Sequence, residues 1–170
     1  MNFDQCTELS RRVIRAAVER ARAHQHGQVE SAHLLMALSL ETESLLPPVL
    51  EKLNVSTDAF RRDASGLVSA LPRQDGASLE PRMGSDLLQV LQGALAEAEA
   101  MGDSFVATEH LFLGLLTRGN GSVQKLMKEH GVERDAFLAV VQELRAGRAV
   151  HSEGAESHRC LLYTSPSPRD

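Results

Sequence analysis

A chain of 170 residues with 42% hydrophobic residues and a formal net charge of −5 is long enough for one compact domain with a real core, and its acidic balance argues against nucleic acid and acidic membrane surfaces as partners. No apolar run reaches the roughly 18 residues needed to span a bilayer. Two cysteines, Cys6 and Cys160, give no disulfide framework, and the opening Met1-Asn2-Phe3-Asp4-Gln5 lacks the regions of a secretory signal, so a cytoplasmic protein is expected.

With no Trp, one Tyr and five Phe, the core has to be built from Leu, Val and Ala, which suits closely packed helices. Leu9, Val13, Ala17 and Ala21 recur at helical spacing, and Asp4 or Thr7 is placed to cap a first helix that ends near Gly27. Ser31 then caps a short helix carrying Leu34, Leu35 and Leu38. Pro47-Pro48 suits the first turn of a third helix, where a missing amide leaves nothing unpaired. Ser56 or Thr57 opens a fourth, with Phe60, Ala64, Leu67 and Leu71 on one face. Residues 72–84 are rich in helix breakers and read as a linker. Ser85 caps a fifth helix (Leu87, Val90, Leu91, Ala94, Ala98) and Thr108 a sixth (Leu111, Phe112, Leu115). Gly119-Asn120-Gly121-Ser122 turns into a seventh helix ending near Gly131, and an eighth runs to about Arg145. Residues 147–159 read as a polar linker, and no segment has the alternation of a strand.

The order of these elements repeats. A shift of 77 positions, without a gap, lays Val29-Glu30-Ser31-Ala32-His33-Leu34 on Val106-Ala107-Thr108-Glu109-His110-Leu111 and Val55–Phe60 on Val132–Phe137. The fold class is therefore all-α, two pseudo-symmetric four-helix repeats at 1–71 and 85–146 with about eight helices, which points to a binding scaffold before an enzyme. The last eleven residues, Cys160 to Asp170, break from this style and match the translation of a transposase sequencing adapter throughout. They are set aside as an adapter-derived artefact, and the natural chain is expected to continue past Arg159.

Ser31-Ala32-His33-Leu34-Leu35-Met36-Ala37-Leu38 and its echo Thr108-Glu109-His110-Leu111-Phe112-Leu113-Gly114-Leu115 resemble the duplicated N-terminal repeat domain of Clp ATPases. The resemblance covers residues 1 to about 150, and Leu71–Gly76 and Arg145–Arg148 look most like the disaggregase branch, ClpB. It implies a mobile domain at the mouth of a hexameric ATPase ring that meets unfolded or aggregated polypeptide first. The ATPase modules of that parent chain, with ATP and magnesium, would lie beyond this fragment, itself expected to be monomeric and to need no cofactor. No phosphate-binding loop occurs, since Gly119-Asn120-Gly121 is not followed by Lys-Ser/Thr, and no catalytic constellation stands out. The alternatives are a stand-alone Clp adaptor and the N-domain of a protease-coupled Clp ATPase.

Candidate residues carry different readings. His33 and His110, equivalent in the two repeats, do one structural job twice by bonding nearby backbone. A metal set of His24, His26, His33 and Glu30 lacks a zinc spacing, so no metal site is expected. The first-helix arginines are interleaved with Glu8 and Glu19 and form a solvated face. Leu88 falls opposite Arg11 of the other repeat, so Leu88 is expected on a face left wet, where surplus apolar surface marks binding. The resemblance implies a groove with an apolar floor and polar rim, bordered by Thr7, Leu88, Leu91, Asp103, Phe105, Val106 and Glu109. Such a groove would take apolar side chains of an extended polypeptide while its rim binds backbone or basic groups.

Overall fold

The computed structural model describes residues 2–74 and 80–156. A 3-10 turn at Phe3–Gln5 leads into α1 (Glu8–Ala23), α2 (Ser31–Leu40), α3 (Leu46–Lys52) and α4 (Thr57–Ser69). The second unit repeats the series as α5 (Ser85–Ala100), α6 (Thr108–Arg118), α7 (Gly121–Glu129) and α8 (Arg134–Arg145). The caps follow local chemistry. Thr7 Oγ1 accepts from the Ser10 amide, Ser56 Oγ from Ala59 and Asn120 Oδ1 from Val123, each satisfying a first-turn donor that has no partner within its helix. Pro47 and Pro48 lie in the first turn of α3. Ser31, Ser85 and Thr108 are first helical residues rather than caps, those places falling to Glu30, Gly84 and Ala107.

Two short parallel strands, β1 (Gln28–Val29) and β2 (Arg82–Met83), correct the expectation that no strand forms. They are too short for alternation to show in sequence. Their pseudo-symmetric counterpart is a bridge between Cys6 and Val106, since residues 6 and 29 lie 77 positions before 83 and 106. The backbone entering each unit's first helix thus pairs with the other unit, in the manner of exchanged straps. The breaker-rich linker is pinned by the same device: the Gln74 amide donates to Gln25 O at 2.8 Å and Arg82 to Gly27 O at 2.9 Å.

One apolar core runs through both repeats. Phe60 and Phe137 are repeat equivalents, and Phe112 sits between them, with ring centroids 6.1 Å and 4.5 Å away. Closely packed aromatic rings at the join, with the Leu and Val stripes of α2, α5 and α6, make each half the packing partner of the other. Gly114 lets α6 approach α5 unusually closely, because a Cβ there would lie 2.4 Å from Val90 O. Cys6 is fully buried in this core, and burial pushes its thiol up to about 11. At the end of α8, Ala146 and Gly147 both take left-handed conformations (φ +50° and +80°) and reverse the chain. Gly147–Glu156 then returns over the second unit, and Val150 and Glu156 are buried, so this part of the expected polar linker is packed chain. Residues 157–170, with the adapter-like segment, lie outside the described residues.

Candidate functional site

The rim residues converge where α1 begins, α5 ends and α6 begins. Thr7 donates its amide to Val106 O at 3.0 Å, and Val106 donates to Gln5 O at 2.7 Å. The centre is Asp103. Its Oδ2 accepts from His110 Nε2 at 2.7 Å and Arg145 Nη1 at 2.8 Å, and its Oδ1 accepts from Arg145 Nη2 at 2.5 Å and the Val150 amide at 2.9 Å. Burial pushes the Asp103 carboxyl up, but the bonds from His110, Arg145 and Val150 and the Arg145 charge outweigh it and hold the group well below the usual carboxylate range. Glu109 Oε2 stands 3.7 Å from Arg145 Nη1, so the buried guanidinium faces two carboxylates. The tautomer of His110 is set by its other nitrogen: Nδ1 accepts from the Ala107 amide at 2.8 Å, leaving Nε2 to donate to Asp103.

The returning segment fills the space between these residues. Val150 O accepts from the Ser104 amide at 2.8 Å and the Phe105 amide at 3.3 Å, and Ser104 Oγ lies 2.7 Å from His151 Nδ1. Glu153 O accepts from the Glu8 amide at 2.9 Å, while the Glu153 side chain meets Arg11. The Glu156 carboxylate lies at the N-terminus of α6, accepting from the Thr108 amide at 3.0 Å and from the hydroxyls of Thr108 and Thr7. An anion placed there is favoured by the unpaired first-turn amides.

Five of the seven expected groove residues, Thr7, Leu91, Asp103, Val106 and Glu109, are buried. Leu91 belongs to the core between the repeats, Asp103 and Glu109 engage Arg145, and the segment 147–156 covers the rim. Phe105 is half-buried, and Leu88, 47% exposed, stands on the wet face that its opposition to Arg11 implied. Among the described residues no group of three or more His, Cys, Asp or Glu is arranged to hold a metal ion. His26 and His33 instead bond each other, with Nδ1 and Nε2 2.8 Å apart.

Sequence reasoning missed the roles of Arg145, Glu156 and Asp86 and the pairing of His26 with His33. The 77-residue shift could have flagged three of them. It places Arg145 on Val68, a buried apolar position, so the arginine needs a buried anion; it places Asp86 on Leu9 and His26 on Asp103. Glu156 has no repeat partner, and only the fold brings it back.

Two fused four-helix units, the second holding a returning stretch of chain at its rim, define a double helical repeat domain. Residues 5–130 match the Clp repeat (R) N-terminal domain, and the chain belongs to that family. The chain is 30% identical over 151 residues, 89% of its length, to the chaperone protein ClpB of Bdellovibrio bacteriovorus, of which it spans 18%. It superposes with a TM-score of 0.80 on the Hsp104 N-terminal domain from Candida albicans, at 26% identity, covering 90% of this chain and 99% of that one. A ClpV N-domain in complex with a VipB peptide shares the fold at a TM-score of 0.67 and 18% identity, with 82% and 86% covered. Among the described residues no helix is long and apolar enough to cross a membrane.

Proposed function

We propose that the chain is the client-capturing N-terminal domain of a ClpB-like disaggregase, engaging unfolded or aggregated polypeptide weakly and passing it to ATPase modules elsewhere in a parent chain. The observation that carries this reading is the seat itself. It takes a turn of polypeptide mainly through backbone: the Ser104 and Phe105 amides reach a carbonyl, Asp103 reaches an amide, and the Glu8 amide reaches a second carbonyl. Backbone recognition is indifferent to most side chains, which suits clients of many sequences. Leu88 adds an exposed apolar contact on α5. The likeness to ClpB relatives and to an N-domain that binds a peptide supports the same reading. In it the parent is hexameric and cytoplasmic and uses ATP with magnesium, while the domain itself binds no cofactor and performs no chemistry.

The test is binding of a permanently unfolded protein, reduced and carboxymethylated lactalbumin, followed by fluorescence anisotropy. Wild-type chain is expected to bind with rapid exchange, and Leu88→Asp to bind several-fold more weakly with unchanged helicity and melting temperature. No binding by the wild type under conditions where it is folded would overturn the proposal.

A further inference from the structure

The two units present the same helix N-terminus and close it differently. At the start of α2, the Ser31 amide and hydroxyl donate to Asp86 Oδ2 at 3.1 Å and 2.7 Å. Asp86 sits on α5, so this carboxylate comes from within the repeats themselves. At the equivalent start of α6, the place of Asp86 is taken by Leu9, which is buried and apolar. The Thr108 amide and hydroxyl are left facing a carboxylate that no equivalent residue supplies. Thr7, where the other unit has Gly84, adds a second buried hydroxyl at the same point. The group seated there is Glu156, carried by a strap outside both repeats, six residues after the buried Val150.

We infer that this second terminus is a carboxylate-receiving peptide site, that the strap 147–156 is its intramolecular occupant, and that client segments compete with the strap for it. The inference rests on the proposed client-capturing function and adds two things to it. One is a preference: a segment with a β-branched apolar residue, as Val150, and a glutamate six positions later, as Glu156, joined by a turn like that at Glu153-Gly154, reproduces the strap's buried contacts. The other is regulation, because a self-filled site is exposed only in the fraction of molecules whose strap is open, and its apparent affinity falls by that fraction.

The probe is a fluorescein-labelled peptide of residues 147–156, added to the whole chain and to the double variant Val150→Asp, Glu156→Gln, whose strap loses both anchors. The folded double variant is expected to bind the peptide at least tenfold more tightly than wild type. A peptide carrying the Glu156→Gln change is expected to lose about tenfold on the double variant, and one carrying Val150→Asp to lose binding altogether. Equal binding by the two chains, or none by a double variant with native helicity, would overturn the inference. Should the double variant unfold, hydrogen exchange on the wild-type chain decides. The Val150 and Thr108 amides should exchange faster than the core amides of α6, with Val150 accelerating when unlabelled peptide is added in trans. Exchange of Val150 only through global unfolding, unchanged by peptide, would make the strap a fixed part of the fold. If the double variant binds the peptide but no unfolded lactalbumin, the strap inference stands and the client-capturing reading fails. Equal lactalbumin binding by both chains, without peptide binding by either, would leave client capture standing and remove the strap.

Discussion

The two repeats solve one structural problem with opposite electrostatics. In each, a histidine three residues into the second helix takes a backbone N–H on Nδ1, from Glu30 to His33 and from Ala107 to His110. Its Nε2 then meets the residue seven positions earlier in the chain. In the first repeat that residue is His26, so two neutral rings share a proton; in the second it is Asp103, backed by Arg145. Burial and the nearby His26 and His24 rings push His33 down to about 4, and burial lowers His26. The two repeats share this geometry because the ring's position is set by helix and backbone. The charge state diverges because it depends on one facing side chain. A neutral pair needs no counterion, whereas the Asp103–Arg145 pair has to be matched in full, and the strap amide of Val150 completes it.

Breaking the charged pair should give the largest effect. Asp103→Ala takes from the buried Arg145 its close carboxylate and leaves the longer contact to Glu109 beside the bond to Arg148 O, and loss of one partner from a buried pair costs about 3–5 kcal/mol. Urea unfolding at neutral pH should show this as a lower midpoint with an unchanged slope. The Val68 position of the first repeat has no charge to lose, so Val68→Ala should show only the milder cost of a small cavity.

Acid should separate the repeats next. A histidine whose folded pKa lies below its unfolded value stabilises fully above the unfolded value, and that contribution is lost as pH falls from 6.5 towards about 4. Stability is therefore expected to drop by about 2 kcal/mol between pH 7 and pH 5, with the first repeat the source. The depressed Asp103 carboxyl contributes stability that is present above its unfolded value of about 3.9 and lost only below it. Converting the first repeat to the second's chemistry with His26→Asp should raise the His33 titration seen by proton NMR above its ordinary value. A His33 titration that stays low in this variant would show that desolvation alone, rather than the facing residue, sets the difference.

Packing gives a smaller contrast. Ala37 and Gly114 are equivalent, but only Gly114 lies against backbone close enough to exclude a methyl group. Gly114→Ala should cost about 1–3 kcal/mol by overpacking α5 against α6. The reverse change, Ala37→Gly, should cost about 1 kcal/mol through helix propensity alone. Calorimetric melting of the two variants gives the comparison directly. The smallest effect belongs to the strap: Glu156→Ala should lower global stability by less than about 1 kcal/mol if the strap opens locally first, while Asp86→Ala, in the body of the fold, costs more.

The helices, their order and the duplication were legible in sequence because they rest on short-range rules. Apolar residues at three- and four-residue spacing define a helix face, Thr7, Ser56 and Asn120 cap without help from elsewhere, and paired prolines start α3. The resemblance added the family and the rim residues, and Leu88 was found exposed because its repeat partner is an arginine. Position in the chain could not show whether that rim stands open. Asp103 looks like a helix-terminus acid until Arg145, 42 residues away, is brought against it, and Glu156 meets Thr7 across a separation of 149. Sequence alone determined the eight helical segments and their twofold plan, since helices are fixed by neighbours within a turn or two. Only the tertiary structure decided which unit is closed by its own aspartate and which by a returning strap. Buried charges find partners through space, and no local periodicity records where a reversed chain will land.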